Sequence, residues 1–301
     1  MVEEYGRVDF RDQISKNKWK TLFLIVIIFL VFLLLGFVIG MALGEGYVFI
    51  IMIISIIISI LYILFSYYKS AEIAIASVRA RPVNSSNPDE RQYERLVEAL
   101  TVASGLPKPK LYVMENEMIN AFASGRSPDV AVLCVTTGAL KKLDKKELEG
   151  VLAHELGHVG NYDIRYLTIV AVMVGMISIF SEIFLRSLWF KSGDNDSKAG
   201  VIFLVLGIVL AILAPIIVWL VQMSISRKRE YAADATAVKF TRYPQGLIGA
   251  LKKIKNDHGE TSTKEHKIPK ATAHLFFANP FKNWGSTHPP LEDRIRVLER
   301  M

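Results

Sequence analysis

His154-Glu155-Leu156-Gly157-His158 places two imidazoles four residues apart with a carboxylate beside the first. On an α-helix, residues with this spacing share one face, so both imidazoles can reach one metal ion while Glu155 stands next to an open coordination position. The chemistry this spacing serves is hydrolysis: zinc lowers the pKa of a bound water towards neutrality, and Glu155 takes the water's proton as it attacks a peptide carbonyl. A solvated helix face with two histidines is the plain alternative. The neighbouring residues speak against it. Asp144-Lys145-Lys146-Glu147 supplies an acidic helix start, and Leu148, Val151 and Leu152 follow at spacings that bury one face.

The elements that must position this helix are set by a segregated composition. The chain has 301 residues, of which 51% are hydrophobic and 22% charged, and its mean hydropathy is +0.32. Thr21 to Leu43 carries no charge, and neither does Tyr47 to Tyr68. Each is long enough as a helix to cross the ~30 Å hydrocarbon core of a bilayer, and Gly44-Glu45-Gly46 between them predicts a helical hairpin. A signal peptide is the competing reading of the first run, but a tail of mixed charge precedes it and no small-residue cleavage site is evident. Beyond the metal motif lie Tyr166 to Phe190, interrupted by Glu182 and Arg186, and Val201 to Ile225, with Pro215 as an expected kink. These form a second predicted hairpin, with a buried helix pair as the alternative.

Basic residues flank the spans unevenly. Arg7, Arg11, Lys16, Lys18 and Lys20 precede the first; Lys69, Arg79 and Arg81 follow the second; Arg227, Lys228 and Arg229 follow the fourth. The positive-inside rule therefore places both termini and the chemistry in the cytoplasm. The net charge of +7 is explained by these juxtamembrane positions. No basic stripe interleaved with aromatics appears, so the charge predicts contact with the lipid bilayer and no nucleic-acid site. The single cysteine, Cys134, cannot form an internal disulfide and sits in the apolar run Val130 to Thr136, which suits a small buried side chain better than a nucleophile. Pro88 to Ala103 reads as an amphipathic helix, Lys110 to Met114, Asn120 to Ser124 and Ala131 to Thr136 as short strands, and Lys145 to Asn161 as the metal-motif helix. From Arg227 on, helical patterns bracket a polar loop around Asn256 to Lys270.

Catalytic zinc with three protein ligands needs one more group. The chain leaves the motif helix into the third span and returns through the fourth, so a residue just after the fourth lies on the same membrane face as His154. Glu230 is that residue, and Asp234 follows one helical turn later on the same face. Glu230 would complete a His, His, Glu set, and Asp234 would accept the free N–H of a ligating imidazole and fix its tautomer. An exposed juxtamembrane carboxylate is the alternative for Glu230 taken alone. Near the C-terminus, His288 precedes Pro289 and Pro290, with Arg294 beyond them. Either side chain could stabilise the oxyanion of the tetrahedral intermediate, against a plain His-Pro turn with a surface arginine.

The order of these features is similar to that of the HtpX family of membrane zinc metalloproteases. The resemblance rests on two N-terminal spans, His-Glu-Leu-Gly-His with Asn161 and Asp163, two further spans, Arg229-Glu230-Tyr231-Ala232-Ala233-Asp234, and Ser286-Thr287-His288-Pro289-Pro290. It covers nearly the whole chain. The family is related to the CAAX prenyl endopeptidases and shares their gluzincin-type catalytic core. The resemblance implies one zinc on His154, His158 and Glu230, Glu155 as general base, His288 and Arg294 facing the zinc, and degradation of damaged or misfolded membrane proteins. It also implies that Asn120, Ala121, Phe122 and Ala123 belong to a substrate-binding edge strand, with Ser124 a minor variation.

The expected molecule is a polytopic α-helical membrane protein, with four transmembrane helices in two hairpins and an α+β gluzincin-type protease domain. Residues 1–20 form a cytoplasmic tail, 21–68 and 164–226 the hairpins, and 69–163 and 227–301 the two parts of the protease domain. Its partners are polypeptide substrates, membrane proteins among them, and its cofactor is Zn2+. A CAAX-type prenyl-protein endopeptidase is the alternative enzyme, although that activity ordinarily calls for more spans enclosing a chamber. A membrane peptide-binding protein or transporter component with structural zinc is the alternative outside enzymes. Glu155 opposes it, since structural zinc sites are closed by four ligands and have no use for a carboxylate at an open position.

Overall fold

The computed structural model describes residues 10–170, 207, 227–260, 276–277 and 289–301. His288, and the third and fourth predicted spans beyond residue 170, lie outside these residues.

Two long helices open the chain, α1 (Phe10–Leu43) and α2 (Glu45–Tyr68). Both are long and apolar enough to cross a membrane. They pack as a hairpin, and the approach is close: a Cβ at Gly40 would stand 2.9 Å from Val48 Cα, so a side chain there would force the helices apart. On α2, Ile50, Ile53, Ile57, Leu61 and Phe65 are exposed, an apolar surface far beyond what a water-soluble monomer tolerates and suited to lipid. The short α3 (Ser70–Ser77) follows.

A four-stranded mixed sheet comes next, with order β1-β2-β4-β3. Here β1 is Arg81–Pro82, β2 Lys110–Met114, β3 Ala121–Ser124 and β4 Val132–Thr136. β2 and β4 are parallel, and β3 runs antiparallel to β4 and forms one edge. The three longer strands match the expected ones to within a residue; β1 was not expected. Cys134 lies buried in β4 against Phe122 and Phe276, where burial pushes its thiol pKa up and leaves it unsuited to nucleophilic work.

The helices α4 (Pro88–Ser104), α5 (Thr137–Lys142) and α6 (Lys145–Gly160) complete the first part of the α+β domain. Asn87 caps α4 through Asp89 N–H, and Gly105 ends it in a left-handed conformation. α6 carries the His-Glu-x-x-His motif. A capping box starts it: the Asp144 side chain accepts from the Lys146 and Glu147 N–H groups, and the Glu147 side chain accepts from Asp144 N–H. Leu148, Val151, Leu152, Ala153, Leu156 and Val159 are all buried, so α6 is the central helix of the core rather than a surface helix.

Two later helices cover α6: α7 (Arg227–Thr241) and α8 (Pro244–Glu260). A Cβ at Gly150 would come within 2.6 Å of Leu247 N, so glycine sets how closely α8 approaches. α8 runs as far as Glu260, so the first residues of the expected polar loop are helical. α9 (Leu291–Leu298) closes the described chain, with Leu298 and Arg294 facing inward.

Candidate metal centre

One turn of α6 brings His154 and His158 together, with ring centroids 4.8 Å apart and ring planes nearly perpendicular. Their Nε2 atoms face each other at 3.2 Å. Glu230, in the first turn of α7, offers one oxygen to each ring: Oε2 is 3.6 Å from His154 Nε2 and Oε1 is 3.6 Å from His158 Nε2. The three ligand atoms lie within 4.8 Å of one another, and all three residues are buried. Among the described residues no fourth group joins them; three protein ligands with one position left to water or substrate is the pattern of a catalytic zinc site, whereas a structural one is closed by four.

Each imidazole is held from behind by a carboxylate. His154 Nδ1 lies 2.8 Å from Asp234 Oδ1, and His158 Nδ1 lies 3.0 Å from Asp163 Oδ2. A proton on each Nδ1, donated to its carboxylate, turns an Nε2 lone pair towards the other ring. Once His158 has given up its Nε2 proton, both lone pairs are directed at one position that a single cation can fill. The donor set therefore fits zinc: two neutral imidazole nitrogens and one carboxylate, with both tautomers fixed by a second carboxylate each.

Asp163 reaches His158 through a backbone reversal. α6 ends at Gly160, and Tyr162 follows in the left-handed region at φ 58°, an uncommon conformation for a tyrosine. Residues 163–170 then form a new helical stretch whose first residue turns its carboxylate back on the imidazole. Asp234 is fixed differently. Arg294 of α9 grips it with two hydrogen bonds, Nη2 to Oδ1 at 2.6 Å and Nε to Oδ2 at 2.9 Å. Burial acts to raise the Asp234 pKa, but Arg294 and then His154 outweigh it and the group stays below its ordinary range. The remaining nitrogen, Nη1, lies 3.7 Å from Glu230 Oε2 and has no hydrogen-bond partner among the described residues. Arg294 is fully buried and stacks at 4.7 Å on the Phe277 ring, which itself meets His154 edge-on at 4.9 Å.

Glu155 is fully enclosed beside the histidines and accepts a hydrogen bond from Ala123 N–H at 2.9 Å. Burial raises its pKa; His154, His158 and the Ala123 N–H oppose this without cancelling it. This N–H comes from the edge strand β3. Asn120 bonds to β4 through Thr136, so Ala121 and Ala123 turn their peptide groups to the open edge. Phe122 points to the opposite face of the sheet, against the Phe276 ring at 5.0 Å. The open edge is already in use: Ala121 N–H donates to Asn120 Oδ1, Ala121 C=O accepts from Phe277 N–H at 2.8 Å, and Ala123 N–H is held by Glu155.

The structure thus brings together His154, Glu155, His158, Glu230, Asp234, Arg294 and the strand Asn120–Ala123. Two contributors were missed from sequence. Asp163 was visible as part of a motif but without a role, and Phe277 carried no local signal.

The metal-free site predicts a pH dependence. Burial acts to lower the His158 pKa, but the hydrogen bond to Asp163 and the charges of Glu230, Asp163 and Glu155 raise it to about 9. Below that value metal-free His158 is protonated, so binding must release its proton and affinity rises with pH. The expected gradient is about tenfold per pH unit up to pH ~9, levelling above it. Zinc titration by calorimetry in buffers of different ionisation heat measures the release. In Asp163→Asn the His158 pKa falls, the proton release near pH 7 shrinks, and affinity drops by about 10–100-fold. A pH-independent affinity would contradict this account.

Known proteins share these features. The model of Peptidase family M48 matches residues 87–301. A Protease HtpX homolog of Thermoanaerobacter pseudethanolicus is 41% identical over 251 residues, covering 80% of this chain and 82% of the relative. Homologs of the same description from Dictyoglomus turgidum and Listeria monocytogenes are 40% and 37% identical, with coverage of 97% and 96% of this chain and 95% and 99% of theirs. The crystal structure of S. mikatae Ste24p aligns over 96% of this chain and 67% of its own, with a TM-score of 0.51 and 20% identity, a likeness of fold. With a His, His, Glu set clustered between the motif helix and α7, a family model matching residues 87–301 and a relative aligned over 96% of the chain, this chain belongs to peptidase family M48, among the HtpX homologs, and is a zinc-dependent endopeptidase.

Proposed function

We propose that the protein cleaves damaged or misfolded membrane proteins at the cytoplasmic face of the membrane that holds it, with one zinc on His154, His158 and Glu230. The observation that carries this reading is the convergence of those three ligands beside buried Glu155, on a helix whose continuation packs against α1 and α2. Zinc, when bound, supplies Lewis acidity and an acidified water. The residues around it do the rest. Glu155 takes the water's proton and passes it towards the leaving amine. Asp234 and Asp163 hold the imidazoles in the ligating tautomer, and Arg294 holds Asp234. Arg294 Nη1 and His288 are the candidates for steadying the oxyanion.

Substrate would pair with β3 as an added strand, gaining main-chain hydrogen bonds that depend little on its sequence. Phe277 already uses Ala121 C=O, so the rail is either shared with that segment or freed by its displacement. Ala121→Pro tests it. The lost N–H bonds to Asn120 and not to β4, so the ladder survives while the ring obstructs the open edge. KM for an unfolded substrate is expected to rise several-fold with zinc content unchanged; an unaltered KM in the folded, zinc-loaded variant would remove β3 as the rail.

The division into tail, two hairpins (21–68 and 164–226) and a protease domain split between 69–163 and 227–301 belongs to this proposal, as do the four spans and the cytoplasmic termini. Cysteines placed at Ser85 or Glu260 in a Cys134→Ser background are expected to be shielded from impermeant thiol reagents in intact cells. One at Glu45 in the first turn is expected to react. The opposite pattern would put the site outside. Cleavage of an unfolded protein by the purified chain, lost with a chelator and restored by zinc, tests the enzymatic core.

A further inference from the structure

Three arginines ring the membrane-side end of the metal-centre helices, and each lies on a tyrosine. Arg126 Cζ is 4.9 Å from the Tyr68 ring and 5.9 Å from that of Tyr67, the last two residues of α2. Arg165 Cζ is 5.2 Å from the Tyr162 ring, and its Nε donates to the Arg126 carbonyl at 2.6 Å, so the two arginines are neighbours. Arg229 Cζ is 5.3 Å from the Tyr166 ring. Tyr166 in turn packs with Leu24 and Ile28 of α1 and near Tyr62, Ile63 and Tyr67 of α2, at the end of the hairpin where the chain enters the protease domain.

None of the three guanidinium groups meets a carboxylate among the described residues. Arg229 is the sharpest case: it is only 6% exposed, and its Nη1 is enclosed without a hydrogen-bond partner among the described residues. A desolvated cation without a counter-ion is costly, and stacking on one tyrosine offsets only a small part of that cost. Elsewhere this chain pairs its buried charges, as Arg294 with Asp234 and Arg81 with Glu90 show. The described residues supply no such anion, and one from outside the chain would. At a membrane boundary the abundant anion is the phosphate of a lipid headgroup, and the planar fork of arginine matches phosphate oxygens.

We propose that Arg126, Arg165 and Arg229 form a binding site for anionic phospholipid headgroups, and that the bound lipid steadies the metal centre. The coupling is short. Arg229 immediately precedes the ligand Glu230, and Arg165 lies on the stretch that begins with Asp163, the partner of His158. Occupied arginines hold both segments against the α1–α2 hairpin; unoccupied ones leave like charges to repel between them. The inference rests on that hairpin lying in a bilayer.

Native mass spectrometry of the full zinc-loaded chain, titrated in detergent with phosphatidylglycerol, phosphatidylcholine or diacylglycerol, tests it. Phosphatidylglycerol is expected to be retained most, diacylglycerol least, and each of Arg126→Gln, Arg165→Gln and Arg229→Gln to weaken phosphatidylglycerol about fivefold. Arg126→Lys and Arg165→Lys should keep most of the binding. Zinc loss to a fixed chelator should be faster in phosphatidylcholine nanodiscs than in phosphatidylglycerol ones, and the difference should vanish in the Arg126→Gln/Arg165→Gln double variant, which leaves the residue beside Glu230 untouched. Equal retention of phosphatidylglycerol and diacylglycerol, equal retention by wild type and double variant, or displacement by millimolar inorganic phosphate would each overturn the lipid site. A chain that is monodisperse in water without detergent would instead overturn the membrane reading on which it rests.

Discussion

Glu155→Gln is expected to lower kcat/KM for an unfolded polypeptide by about 10²–10⁴-fold while leaving zinc content and thermal stability near wild type. The reasoning is local. Gln keeps the volume of Glu in a fully enclosed position, and its amide oxygen still accepts from Ala123 N–H, so packing and the contact with β3 survive. What disappears is the ability to take a proton. Glu155 is not among the three convergent ligand groups, so coordination survives too. In the metal-free site the Glu155 pKa is raised because burial outweighs the histidines and the Ala123 N–H. Wild-type turnover in a zinc-loaded Glu155→Gln protein would assign the base elsewhere.

How much of this site was legible in the sequence follows from how far apart the partners lie. His154 and His158 are one helical turn apart, and helix periodicity alone aligns them. Glu230 and Asp234 needed one more step, the inference that chain leaving and re-entering one membrane face returns near its departure point. The partners that went unread depend on non-local or irregular backbone. Asp163 meets His158 only because Tyr162 adopts a positive φ, which no propensity for tyrosine announces. Arg294 was singled out, but its grip on Asp234 joins residues on α9 and α7 that share no periodic relation. Phe277 touches His154, Arg294 and Ala121, all distant in sequence, and looked like one aromatic among many.

The fold shows the same boundary. Strands with β-branched runs and the capped helices α4 and α6 were readable because their signals are local. β1 was not, since Arg81–Pro82 is two residues long with a proline, and only its pairing with Tyr112 and Val113 makes it a strand. The extension of α8 to Glu260 ran through a polar sequence that reads as loop; Ile254 and Asp257, buried against the core and Ile119 N–H, anchor it as helix.

Glu230→Ala is expected to weaken zinc binding by more than about 100-fold, beyond the range produced by altering a carboxylate behind a ligand. Glu230 offers one carboxylate oxygen to each Nε2 atom, at 3.6 Å from each. Its removal also strips the field around Arg294 Nη1, which lies 3.7 Å from Oε2. The truncated site keeps two imidazoles but has lost the one carboxylate that converges with them as a ligand, so the ion loses a bond and the neutralising charge that came with it. Equilibrium dialysis against a zinc buffer separates this from a folding defect when combined with thermal unfolding. Wild type should gain Tm with rising free zinc, because binding to the native state alone stabilises it, whereas Glu230→Ala should melt near the metal-free wild-type value and not respond. Glu230→Asp keeps the charge on a shorter stem and should fall between the two. Full zinc occupancy of Glu230→Ala at wild-type free zinc would place the third ligand on another residue, His288 first, and would return Glu230 to the role of a charge partner for Arg294.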